Sequence, residues 1–185
     1  MSNLLRGVNL YLIGMMGVGK TTVGKLLAEE IGYRFVDTDE IIVKAAGKSI
    51  NEIFAENGEA EFRQLESNVL AQVCAYTKLI VATGGGIVMQ QHNWSYLHHG
   101  LIVWLDVPIP ILLSRLAEDN TRPLLQDPDS LSSVTISEAK LRSLLEQRQP
   151  LYSQADLRIT INSTETPAQI AARILETIPT VLKTQ

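Results

Sequence analysis

The chain has 185 residues, the length of one domain, and carries 16 Lys and Arg against 20 Asp and Glu, a net charge of −4. That balance argues against a non-specific nucleic-acid binder, which needs a basic surface to displace counterions. Apolar residues at 45% and charged residues at 19% supply a packed core rather than disorder, and one Cys is too few for a disulfide framework or a Cys-rich zinc site.

No stretch reaches the roughly 18 apolar residues of a membrane span. The opening Met1 to Gly7 lacks the apolar run and small-residue cleavage site of a secretory signal. The expectation is a soluble protein of a reducing, cytoplasmic compartment; a bacterial protein and a processed plastid form fit equally. Without a secretory signal, the glycosylation patterns at Asn93-Trp94-Ser95 and Asn162-Ser163-Thr164 carry no weight.

Taken in chain order, Leu10-Tyr11-Leu12-Ile13 is too short for a helix and is cut off by Gly14, so it predicts a buried strand. Val23, Leu26, Leu27 and Ile31 then recur at helical spacing until Gly32. Arg34-Phe35-Val36 is a second short strand, ending at Asp37. Residues 50–76 read as helical with a break at Asn57-Gly58. Leu79 to Ala82 is a third strand, stopped by Gly84-Gly85-Gly86, and Leu101 to Leu105 a fourth, stopped at Asp106. A helix covers Ile109 to Leu116, and a fifth strand covers Leu157 to Ile161. Thr166 and Gln169, with Pro167 between them, form the capping box of a last helix.

Five short apolar strands alternating with helices predict an α/β fold, a three-layer sandwich with a five-stranded parallel sheet and helices on both faces. Ligands in such folds sit at the carboxyl ends of the strands, where Gly14, Asp37 and Gly84 fall. The polar stretch Glu118 to Ser133 breaks the alternation and reads as a surface loop or a mobile lid.

Gly14-Met-Met-Gly17-Val18-Gly19-Lys20-Thr21 matches the phosphate loop G-x-x-x-x-G-K-[ST], with the required strand before it and amphipathic helix after it. Glycines let backbone N–H groups turn toward phosphate oxygens, and the helix adds its positive end. Lys20 brings a charge to the β- and γ-phosphates, and the Thr21 hydroxyl is a hard ligand for Mg²⁺. Nucleotide binding follows, with a kinase and a switch both open at this point.

Asp37 and Asp39 stand two apart after the second strand and, in extended backbone, would share a face toward that loop. One carboxylate suits Mg²⁺ through water and the other a hydroxyl acceptor; the plain alternative is a helix cap. Arg63 and Glu66 form either a surface ion pair or an arginine oriented to grip a carboxylate. Gly84-Gly85-Gly86 offers free N–H groups to an anion or hydroxyl, or is a tight turn. Arg122 on the polar segment suits a lid arginine at the γ-phosphate. Arg148 is a second carboxylate reader or a helix C-terminal cation. Cys74, Trp94 and Trp104 read as packing residues, and His92, His98 and His99 lack the pairing of a zinc site. A GTPase switch should show Asn-Lys-x-Asp, which is absent. A kinase for gluconate or a nucleoside monophosphate would not need two carboxylate-gripping arginines beside Asp39.

Together the chain resembles the shikimate kinases, of the nucleoside-monophosphate-kinase-like group of phosphate-loop enzymes. The resemblance rests on Gly14 to Thr22, Asp37-Thr38-Asp39, Ile50-x-x-Ile53-Phe54-x-x-x-Gly58-Glu59-x-x-Phe62-Arg63-x-x-Glu66, Gly84 to Gly86, Arg115, Arg122-Pro-Leu-Leu125 and Arg148-x-x-Leu151-Tyr152. It implies a single kinase domain over 1–185, with a substrate-binding helical region at about 38–66 and a lid at about 118–133. It implies Mg²⁺-dependent phosphoryl transfer from ATP to the 3-hydroxyl of shikimate, on the route to chorismate and aromatic amino acids. Catalytic roles would fall to Lys20, Asp39 and Arg122. ATP would be bound by Gly17, Val18, Gly19, Lys20, Thr21, Thr22, Arg115 and Arg122, with Arg115 beside the adenine, and Mg²⁺ by Thr21 and Asp37. Shikimate would lie against Asp39, Arg63, Gly84, Gly85, Gly86 and Arg148. A monomer with no nucleic-acid or membrane partner is expected. The chain departs from the family pattern at Asn162 to Glu165, where basic residues are usual, and in the long polar stretch Gln126 to Val134.

Overall fold

A computed structural model describes residues 4–116 and 138–182. Its sheet has five parallel strands: β1 (Leu10–Ile13), β2 (Arg34–Asp37), β3 (Leu79–Ala82), β4 (Leu101–Asp106) and β5 (Leu157–Thr160), in the order β2-β3-β1-β4-β5. The three inner strands are apolar along nearly their whole length because helices cover both of their faces, and their apolar residues are buried.

Helix α1 (Lys20–Ile31) follows β1, and α2 (Thr38–Ala46) and α3 (Ile50–Val73) lie between β2 and β3. A single 3₁₀ turn (Ile87–Met89) and α4 (Asn93–Leu97) lead to β4. Then come α5 (Ile109–Leu116), α6 (Glu138–Tyr152) and, after β5, α7 (Pro167–Leu182). The chain leaves β1 toward one sheet edge and leaves β2, β3 and β4 toward the other. Right-handed crossovers therefore place α1 on one face, where α7 joins it, and α3 to α6 on the opposite face. At the carboxyl end of the sheet, the phosphate loop after β1, the end of β2 and the glycine turn after β3 surround a crevice.

The anticipated punctuation is present. Gly32 ends α1 in left-handed backbone at φ 71°. Gly58, at φ 81° and ψ 173°, breaks α3 where Asn57-Gly58 predicted a break, and that helix stops at Val73 rather than continuing to residue 76. Thr166 and Gln169 cap α7 reciprocally, at 2.9 Å and 3.3 Å. Helix α2 falls in the expected helical region at about 38–66 and α6 ends just beyond Arg148, as the helix-terminus reading of that residue requires, whereas α4 has no counterpart in the sequence reading. Helix α2 corrects one premise: Asp37 and Asp39 are not both in extended backbone, because the helix begins at Thr38 and puts Asp39 in its first turn. Trp94 and Trp104 are core residues. Cys74 is half-buried, with its sulfur 3.1 Å from the Tyr11 hydroxyl. The expected lid lies outside the described residues.

Candidate active site

The crevice holds a cleft of about 670 Å³ lined by the phosphate loop, the end of β2, α2, α3, the triple-glycine turn and α6. At the end of β1 the backbone turns through Gly14, where a side chain would strike the Leu105 carbonyl oxygen at 2.5 Å. Gly17 packs so closely on Leu116 that a Cβ would meet it at 2.7 Å. Glycine is required at both places because φ is positive and the space is filled. Lys20 is buried and folds back over the loop, donating to the Gly14 and Met15 carbonyls, both at 2.8 Å. Its ammonium is thereby held at the mouth of α1, whose positive end adds to it.

Asp37 does two jobs at the end of β2. Its Oδ1 caps α2 by accepting from the Asp39 and Glu40 amides at 3.0 Å and 3.4 Å. Its Oδ2 accepts from the Thr21 hydroxyl at 2.7 Å. Two hard oxygens thus lie together beside the loop that would take a triphosphate, which fits Mg²⁺ held otherwise by water and phosphate. Among the described residues there is no cluster of three or more His, Cys, Asp or Glu suited to a metal.

Across the cleft, α3 presents Arg63, whose Nη1 donates to Glu66 Oε2 at 2.5 Å and whose Nη2 and Nε donate to Glu59 Oε1 at 3.0 Å and 3.3 Å. Burial works against the guanidinium charge, but Glu66 and Glu59 outweigh it and raise its pKa. Glu66 is 1% exposed, and its Oε1 has no hydrogen bond. Burial pushes its carboxyl above the ordinary range; Arg63 opposes the shift and Asp39 adds to it. The buried Arg148 approaches from α6, with its Nη1 unbonded. The glycine turn passes between these groups. A side chain at Gly86 would overlap the Arg63 guanidinium, and one at Gly85 would press on Arg148 Nη1 at 3.4 Å. The Gly84 amide donates to Thr38 Oγ1 at 3.1 Å, locking the turn to α2.

The cleft therefore gathers Gly17, Gly19, Lys20, Thr21, Thr22, Asp37, Asp39, Arg63, Gly84, Gly85, Gly86 and Arg148. Val18 is buried beneath it, and Arg115 stands at its edge, donating from Nη1 to the Val18 carbonyl at 3.1 Å. Arg122 lies outside the described residues. Glu59 belongs to the motif quoted from the sequence but has no role in that reading; it sits one helical turn before Arg63 and holds its guanidinium. One side holds a phosphate loop and a hard-oxygen pair. The other holds two buried arginines around backbone able to receive a small anion.

A family model for shikimate kinase matches residues 16–179. The chain belongs to the shikimate kinase family. This family is one of ATP-dependent kinases. A shikimate kinase of Trichormus variabilis is 71% identical over 183 residues, covering 99% of this chain and 97% of that one. One of Nostoc punctiforme is 68% identical over 185 residues, covering 100% and 98%. The solved shikimate kinase of Acinetobacter baumannii in complex with shikimate is 38% identical with a TM-score of 0.86, covering 97% of this chain and 98% of that chain. The fold of this family is the five-stranded parallel α/β sandwich described above. No helix among the described residues is long and apolar enough to cross a membrane.

Proposed function

We propose that the chain transfers the terminal phosphoryl group of ATP to the 3-hydroxyl of shikimate, releasing ADP and shikimate 3-phosphate. The observation that carries this reading is the pairing of Arg63 and Arg148, both buried, around the triple-glycine turn of a cleft whose other wall is the phosphate loop. Two desolvated guanidinium groups suit a carboxylate, and planar forks bind it with directional bonds. An acceptor without an acid would leave the buried charge of Arg148, which has no carboxylate at ion-pairing distance among the described residues, uncompensated.

The residues divide the work by position. Gly17 to Thr22 turn amides toward the phosphates, and Lys20 exchanges its carbonyl partners for phosphate oxygens. Thr21 and Asp37 would hold Mg²⁺, which would supply positive charge to the phosphates of ATP. Arg63, Arg148 and the amides of Gly84 to Gly86 hold the acid of the substrate and so fix where its hydroxyls fall. Asp39 takes the hydroxyl end, orients the attacking oxygen and receives its proton late, since a loose transition state needs little early base assistance. Arg115 lies along the nucleotide. The remaining catalytic role, neutralising charge at the γ-phosphate, is the one the resemblance gives Arg122, which lies outside the described residues. Residues of a single chain supply both walls of the cleft, which fits a kinase acting on small molecules as a monomer.

The test is a coupled ADP-release assay with ATP, Mg²⁺ and shikimate, quinate or gluconate. ADP release dependent on shikimate is expected. Its absence, or equal release with gluconate, overturns the reading.

A further inference from the structure

Tyr152 takes no part in the division of work above. It is fully buried in the last turn of α6, one helical turn beyond Arg148. Its hydroxyl donates to the Gly85 carbonyl at 2.6 Å, and the same oxygen interacts with the Arg148 side chain. Its ring stacks on Trp104, with 5.8 Å between centroids and 27° between planes. Arg158 lies over Trp104 at 4.5 Å and is anchored to Asp106 at 2.6 Å. The phenol is therefore fixed from behind by packing and in front by a short hydrogen bond.

The two arginines of the cleft are held in different ways. Arg63 is gripped by Glu59 and Glu66. Arg148 has no carboxylate within ion-pairing distance among the described residues. An arginine that must offer an undiminished charge to an incoming acid cannot be steadied by another acid without losing part of that attraction. A phenol is neutral and can orient the guanidinium at no electrostatic expense. It must also stay protonated to donate to Gly85, and burial, with Arg148 opposing, pushes its pKa up to about 12.

We propose that Tyr152 is a positioning residue for the carboxylate subsite: its hydroxyl ties Gly85 to Arg148 and sets the spacing between the guanidinium and the glycine turn that together receive the acid. This rests on the shikimate reading of the site.

Tyr152→Phe keeps the ring and the Trp104 stack and removes one oxygen. The KM for shikimate should rise about tenfold, the effect of losing a hydrogen bond to a charged group. The kcat and the KM for ATP should stay within about threefold, because an acid remote from the reacting oxygen is held equally in ground and transition states. A packing defect alone would lower the melting temperature and disturb both substrates together. In an Arg148→Lys background the same substitution should cost at most about twofold, because the geometry it maintains is already lost. If the phenylalanine variant melts below the assay temperature, calorimetric titration with shikimate in the cold replaces the KM comparison. An unchanged shikimate KM, or effects of Tyr152→Phe and Arg148→Lys that multiply independently, overturns the proposal while leaving the substrate reading intact. No shikimate-dependent turnover by the unsubstituted protein overturns both.

Discussion

Asp39 and Glu66, from different helices, each bring a carboxylate oxygen to the same glycine: a methyl on the Gly84 α-carbon would lie 2.9 Å from Asp39 Oδ1 and overlap Glu66 Oε1. Glu66 cannot swing aside, because its other oxygen is bound to Arg63 in a buried pair. Gly84→Ala should therefore destabilise the protein by about 1–3 kcal/mol, the range for overpacking, and should weaken shikimate binding by displacing both acids. Thermal melting and a shikimate titration check this. A variant with parental melting and parental KM would mean that the turn is looser than described.

The two arginines should part company in stability while agreeing in function. Arg63→Ala strands the buried Glu66 without its partner, a loss of about 3–5 kcal/mol. Arg148→Met replaces a buried cation that has no carboxylate partner among the described residues by an apolar side chain of similar length, and the melting temperature should hold or rise. Both changes should raise the KM for shikimate far more than they alter the KM for ATP. Parallel melts and two-substrate kinetics separate the cases; an Arg148→Met protein that unfolds as readily as Arg63→Ala would contradict the contrast drawn here.

Asp37 joins a structural duty to a proposed metal-holding one, and two substitutions separate them. Asparagine still accepts amide hydrogen bonds at a helix start, so Asp37→Asn should melt like the parent and yet lose about 100-fold or more in kcat. Asp37→Ala should lose the activity and, in addition, about 1 kcal/mol of stability as the α2 cap disappears. The check is kcat against Mg²⁺ concentration alongside thermal melts.

Glu66 gives the stability a pH slope of known sign. Burial raises its carboxyl above the ordinary value, against Arg63 and with Asp39. A carboxyl raised on folding stabilises most below its unfolded pKa of about 4.3, and that contribution is lost as the pH climbs through the folded value. Glu66→Gln has no proton to lose. The melting temperature of the parent minus that of the variant should shrink as the pH rises from about 4 toward neutrality. A difference that widens instead would mean that Arg63 dominates and the carboxyl is lowered.

Much of this was legible because the signals are local. The phosphate loop, the strand ends and the capping box of α7 are each specified within a few neighbouring residues, and the parallel sheet follows from short apolar runs. The misses have physical causes. Helix α2 is nine residues long and follows β2 with no intervening loop, so Asp37-Thr38-Asp39 reads as extended until the Asp37 cap is seen. Helix α6 is largely polar and carries Pro150, which hides it from a search for apolar periodicity. The spacing likewise leaves Arg148 open between a carboxylate reader and a helix C-terminal cation, since only the tertiary packing buries it. The burial of Arg63 with Glu66 and the closeness of the glycine turn to both arginines are tertiary facts, invisible to spacing along the chain.

The acid clamp is built from opposite ends of the folding problem. Arg63 lies on α3, ahead of β3 and β4 in the chain, whereas Arg148 lies on α6, after β4. A nascent chain still inside the ribosome beyond α5 would hold its nucleotide loop and only half of its clamp. With the proposed roles of the two arginines, affinity for the ring acid would report on the completed protein rather than on a fragment ending before α6.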